Sequence, residues 1–149
     1  MFTSLMFVSR SCLAGSGQTC ELNDIVEQSR TRNAGLKVRG ALVFTEKHFA
    51  QVLEGPKSGL DELMASICRD PRHQNVTVTG EAVIDEYRFP NWTLAYHGCA
   101  SFIDQQVAAL FPPRDATSYR DDAARLYFLV RSFAVQSQDN GPLGRPSPR

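Results

Sequence analysis

The chain has no CxxC pair among its four cysteines, no closely spaced histidines among its three, and only one tryptophan. Cys12, Cys20, Cys68 and Cys99 therefore do not present a zinc or disulfide framework, and the expectation is of buried or half-buried thiols in a reducing compartment. His48, His73 and His97 are too far apart for a zinc site, so no metal is assigned. An excess of one charge is also lacking: sixteen basic residues balance sixteen acidic ones. No overall field steers the protein to nucleic acid or to an anionic membrane. No apolar run approaches the roughly 18 residues of a membrane span. The apolar start, Phe2 to Val8, has no basic segment before it and meets Arg10 soon after, which makes it a poor signal peptide. A soluble cytoplasmic protein is expected. At 149 residues the chain is long enough for one substantial core and too short for two ordinary domains.

What is present alternates in period. Leu5, Phe7 and Ser9 interleave with Met6, Val8 and Arg10, which predicts a first strand buried on both faces. From Thr19, a plausible N-cap, Leu22, Ile25, Val26 and Ser29 share one helical face, and Asn33 and Gly35 suit the helix exit. Leu36 to Phe44 and His48 to Glu54 read as a hairpin around Thr45-Glu46-Lys47. Ser58 with Asp61 resembles a capping box for a second helix with Leu60, Leu63, Met64 and Ile67 inward, ended by Asp70-Pro71. Asn75 to Ile84 and Trp92 to Tyr96 read as strands four and five, with Trp92 and Tyr96 placed on one face. The order β-α-β-β-α-β-β predicts an α+β, ferredoxin-like sheet with an added strand and two helices on one face. Two later helices, Ser101 to Phe111 ahead of Pro112-Pro113 and Ser118 to Val135 with Leu126, Leu129, Val130 and Phe133 in a stripe, are expected to cover the other face or to make a dimer contact. The expected organisation is a domain over 1–98, a helical extension over 99–137 and a disordered tail over 138–149.

Gln51 is the most informative residue in this pattern. It lies on the same strand face as Phe49 and Leu53, so a neutral amide is set in an apolar row. A buried amide left without partners costs roughly 1 to 3 kcal/mol. By itself this is compatible with a bond to nearby backbone as well as with a ligand contact.

The segment Phe49-Ala50-Gln51-Val52-Leu53-Glu54-Gly55-Pro56 resembles the FxQxLEGP signature of the BLUF family, and Arg69-Asp70-Pro71-Arg72-His73 resembles that family's RDPRH stretch. Asn33, Gly40 and Arg88-Phe89-Pro90-Asn91-Trp92 match in the same order, so the resemblance runs over residues 2 to 98. It implies a flavin, usually FAD with FMN or riboflavin as alternatives, between the two helices and the sheet. Asn33 would bond the ring's polar edge, Gln51 would stand between flavin and first strand, and Arg72 and His73 would lie near the pocket rim. Arg32, where many relatives have a second asparagine, offers a charge-assisted contact or a solvent-facing cation, the latter being expected here.

In the family a first-strand tyrosine gives an electron and a proton to the light-excited flavin, the glutamine rearranges, and the absorption shifts to the red. Phe7 stands at that tyrosine's position and has no hydroxyl. Leu94 replaces a methionine, which keeps volume and loses a thioether. Trp92 is the other relay candidate, as an aromatic electron donor or as a core residue. The implied protein is a blue-light sensor module and not an enzyme, with no attached output domain. It would work through a downstream regulatory protein or through self-association into a homo-oligomer, with its photocycle impaired at Phe7. The alternatives are a flavin-free interaction module on the same fold and, more remotely, an acylphosphatase-like hydrolase. The latter lacks its phosphate-cradling loop at Arg10 to Ala14.

Overall fold

The computed structural model of the chain describes residues 1–13, 18–111 and 116–139. Five strands, β1 (Phe2–Ser11), β2 (Arg39–Phe44), β3 (His48–Gly55), β4 (His73–Ile84) and β5 (Trp92–His97), form one sheet in the order β4-β1-β3-β2-β5. All pairings are antiparallel except β2 with β5. The first four strands thus have the ferredoxin-like arrangement, and β5 is the added edge strand. Central β1 and β3 are buried along almost their whole length because both faces of the sheet are covered.

One face packs against α1 (Gln18–Gly35) and α2 (Lys57–Arg69), the other against α3 (Ser101–Ala108) and α4 (Ala116–Asp139). The first core joins Leu22, Ile25 and Val26 of α1 and Leu60, Leu63 and Ile67 of α2 to Leu5, Phe7, Phe49 and Leu53 of the sheet. The second joins Ile103 and Val107 of α3 and Leu126, Val130 and Ala134 of α4 to Met6, Val8, Ala50 and Val52. Residues of one strand alternate between the two cores, which is why β1 carries no polar face. The C-terminal helices therefore cover the face that α1 and α2 leave bare.

Several local expectations are corrected. Helix α2 begins at Lys57 after Pro56, without a side-chain cap, so Ser58 and Asp61 form no capping box. Asp61 instead takes Lys57 in an i,i+4 ion pair at 2.7 Å. The chain leaves α1 through Lys37, at φ 60°, with the Val38 N–H on the Asn33 carbonyl at 2.8 Å, so β2 starts only at Arg39. A register shift after Leu42 in the β2–β5 pairing places Trp92 in the first core and Tyr96 in the second. The two aromatics do not share a face, and Tyr96 stacks on Phe133 of α4 with ring centroids 4.9 Å apart. Leu129 lies outside the inward stripe of α4, beside Phe102 and Phe128. Cys12, Cys68 and Cys99 are exposed rather than buried. The proposed cap at Thr19, the side chain of Cys20, Pro112-Pro113 and residues 140–149 of the expected tail lie outside the described side chains; Gln138 and Asp139 belong to α4. Among the described residues no helix is long and apolar enough to cross a membrane.

Candidate functional site

The register of the sheet puts Val78, Phe7, Gln51, Leu42 and Leu94 in one row across β4, β1, β3, β2 and β5. Gln51 is buried, and its direct neighbours on either side, Phe7 and Leu42, are apolar. Neither can satisfy the amide. Its partner comes from the next row: the Trp92 indole N–H donates to the Gln51 carbonyl oxygen at 2.9 Å, in a buried bond. Gly40 separates Trp92 from Leu53 in that row, so no side chain stands in the way of the indole. Glycine is required there, because a Cβ would sit 1.9 Å from the Val52 carbonyl oxygen and the backbone has φ 147°.

Over this row lies a cleft between α1 and α2. Gln28, Ser29 and Arg32 line it from α1, Phe49 and Gln51 from the sheet, and Asp70, Arg72 and His73 from the segment after α2. It encloses about 20 Å³, room for about one water. Asn33 is buried one residue along, and its amide oxygen has no hydrogen-bond partner. A buried acceptor without a donor is unfavourable by about 1 to 3 kcal/mol, so its retention suits a site where a ligand's donor completes it.

The mouth of the cleft is cationic and pinned. Arg32 is exposed but does not simply face solvent: its guanidinium reaches from α1 to the Ser66 hydroxyl of α2 at 3.0 Å. Burial lowers its pKa, with Asp70 opposing that shift and Arg72 adding to it. Arg72 forks onto Asp70 at 2.7 to 3.1 Å and reaches Gln28 at 3.3 Å. Asp70 also accepts the Arg72 backbone N–H at 2.9 Å. Burial would raise the Asp70 pKa, yet the hydrogen bonds and charge of Arg72 hold it below the usual range. The same bonds raise the Arg72 pKa.

His73 is half-buried in the lining of the cleft. It opens β4, two residues ahead of the expected strand start, with its Nδ1 2.8 Å from the Ser9 hydroxyl and its ring 4.3 Å from that of Phe49 and 6.0 Å from that of Phe7. Burial lowers its pKa to about 4, with Asp70 acting against the shift and the Arg72 and Arg32 charges reinforcing it. At neutral pH it is an uncharged imidazole.

The profile described as "BLUF: Sensors of blue-light using FAD" matches residues 2–95. The chain belongs to the BLUF family. Over 112 residues it is 33% identical to the photoactivated adenylate cyclase subunit beta of Euglena longa, a match covering 74% of this chain and 12% of that protein. The blue light- and temperature-regulated antirepressor BluF of Escherichia coli K12 is 34% identical over 76 residues, 51% of this chain and 18% of that one. Among solved structures, the dark state of BlrB, a BLUF protein, superposes with a TM-score of 0.65 at 31% identity, covering 88% of this chain and 96% of that chain. The chain thus spans only a small part of the curated relatives' length. BLUF domains are flavin-binding sensor modules rather than catalysts, and their relatives include light-regulated cyclases.

Of the expected site residues, Gln51, Arg32, Arg72 and His73 line this cleft; Phe7 and Trp92 reach it only through Gln51, as strand neighbour and hydrogen-bond donor, and Leu94 and Asn33 lie outside the lining. Sequence reasoning did not find three connections: Trp92 to Gln51, Ser9 to His73, and Arg32 to Ser66. The single tryptophan and the embedded amide were both visible, but their meeting depends on the β2–β5 register. A much larger concavity, about 790 Å³ between β1, β4 and the start of α4, contains none of these residues.

Proposed function

We propose that this chain is a flavin-binding BLUF sensor module, with residues 1–98 holding the flavin and 99–137 forming a helical cap through which it meets its partner. FAD is the preferred flavin, with FMN or riboflavin as alternatives. The observation that carries this reading is the buried, unpartnered Asn33 oxygen, one helical turn after Ser29 of the cleft lining, beside a cleft lined by Gln51. A ring with N–H donors and carbonyl acceptors along its polar edge complements an amide pair of this kind. When bound, the flavin supplies blue-light absorption. Asn33 accepts from its edge, Gln51 offers an amide able to exchange donor and acceptor ends, and Arg32 and Arg72 stand at the mouth for anionic groups. Gln28 and Arg32 are long side chains at the opening, so entry of a ring displaces side chains before it displaces backbone.

Phe7 limits what such a module does. Its ring packs beside Gln51, but it has no hydroxyl to donate to the amide and no acidic proton to lose. We infer that flavin binding survives and that light leaves the Gln51 hydrogen bonds largely unchanged. The partner is a separate regulatory protein or a second copy of the chain.

A second reading, a flavin-free interaction module, is favoured by the small volume of the cleft and by the already satisfied Gln51 carbonyl. Incubation of the purified protein with FAD decides between them. The first reading expects a yellow protein after gel filtration and a higher Tm, since a ligand at about 100 times its Kd adds about 2.7 kcal/mol. A colourless protein of unchanged Tm supports the second.

A further inference from the structure

Glu54 is a charged residue with no exposed surface, and the relay described above does not use it. It stands on β3 three residues after Gln51, so the two side chains project from opposite faces of the strand. Its Oε1 accepts the backbone N–H of Arg88 and that of Phe89, each at 2.6 Å. Its Oε2 is buried and has no hydrogen-bond partner. Removal of a carboxylate from water raises its pKa; the two backbone N–H groups and the nearby Arg88 and Arg131 charges oppose that rise.

The two anchored amides belong to the segment that delivers Trp92. After Phe89 come Pro90, whose φ is fixed by its ring, and Asn91, whose carbonyl accepts the Gly40 N–H at 3.0 Å. Trp92 follows, with its indole on Gln51. Side chains of β3 thus grip both ends of Arg88–Trp92, Glu54 at one and Gln51 at the other. The same segment touches α4: the Arg88 guanidinium lies 3.3 Å from the Tyr127 hydroxyl, and the Arg131 guanidinium sits 5.9 Å from the Phe89 ring centre.

We propose that Glu54 is a positioning residue that fixes the Arg88–Trp92 segment, sets the indole on the Gln51 carbonyl, and makes the segment a stiff link from that amide to α4. Its role as a signal route rests on Gln51 being the switching amide. Its role in placing Trp92 does not, and can be read without flavin.

Because the chain has one tryptophan, the test has a direct reporter. In flavin-free protein labelled at the indole nitrogen, the Nε1–H resonance, its exchange with water and the fluorescence emission all report Trp92 alone. Glu54→Ala and Glu54→Asp, which remove or withdraw the acceptor, are expected to move the resonance and to speed exchange roughly tenfold, the size of change that losing one buried hydrogen bond produces. Glu54→Gln keeps a carbonyl oxygen for both N–H groups and is expected to stay within about twofold of wild type on the same grounds. Where Glu54→Ala fails to fold, the contrast between the Asp and Gln variants carries the test. Gln51→Leu in the same experiment is expected to shift the Arg88 and Phe89 amide resonances through the segment. An indole unmoved in folded Glu54→Ala or Glu54→Asp, a Gln variant as disruptive as these or unfolded, or Arg88 and Phe89 amides indifferent to Gln51→Leu would each overturn the proposal. If the indole moves as expected but the protein never takes up flavin, the placement stands and the sensor reading falls.

Discussion

The Gln51 amide oxygen and the Trp92 indole N–H satisfy each other inside an apolar surround, so the bond between them is worth more than its surface counterpart and more sensitive to loss. Gln51→Leu removes the acceptor and leaves a buried indole N–H, and is expected to destabilise the ligand-free protein by about 1 to 3 kcal/mol in urea unfolding. His73 gives a second prediction. Its folded pKa of about 4 lies below the ordinary value of 6.5, so between those values the unfolded chain binds more protons than the folded one. Its share of stability is complete above pH 6.5 and is lost as pH falls toward 4, at up to about 1.4 kcal/mol per pH unit. Glu54 acts oppositely, because its raised pKa favours the fold at low pH. The test is therefore the difference between wild type and His73→Gln, which is expected to slope in this window and to be flat above pH 7. A flat difference throughout would remove His73 from the account. The role of Gln51 was legible because a lone amide interrupts an apolar strand. The ring packing of His73 was not: it follows from the β1–β4 register, which pairs Ser11 with His73 and brings the imidazole over Phe49.

At the scale of elements, the helical faces were legible because their period is strong. Leu22, Ile25, Val26 and Ser29 of α1 and Leu60, Leu63 and Ile67 of α2 are all buried as spacing requires. Irregularities were not legible, since they have no period. The register shift that sends Tyr96 to the opposite face and the Lys37 exit from α1 are settled by sheet pairing, and proline at the start of α2 displaced the expected cap by fixing where the helix begins. Helix α4 offers a check on the two-faced core. Leu126 is fully enclosed and Phe128 is 70% exposed, two residues apart. Leu126→Ala is expected to lower stability by about 2 to 5 kcal/mol and Phe128→Ala by no more than about 0.5 kcal/mol. Equal effects in thermal or urea unfolding would mean that α4 does not pack on the sheet as described.

For the whole molecule, the sheet separates two cores that share its strands. One face, with α1 and α2, carries the cleft, the unpartnered Asn33 oxygen and the Gln51–Trp92 bond; the other is covered by α3 and α4, the helices through which the proposed partner contact would run. Folding and the shape of the cleft do not need a phenol at position 7, because Phe7 fills the same buried place beside Gln51. On the proposed reading, rearrangement of the amide by light does need it. The light-minus-dark absorption spectrum of the flavin-loaded protein, recorded for wild type and for Phe7→Tyr, tests this separation most directly. The account predicts a yellow wild type whose visible band barely moves under blue light, and a reversible red shift in Phe7→Tyr. A reversible red shift in wild type itself would contradict it.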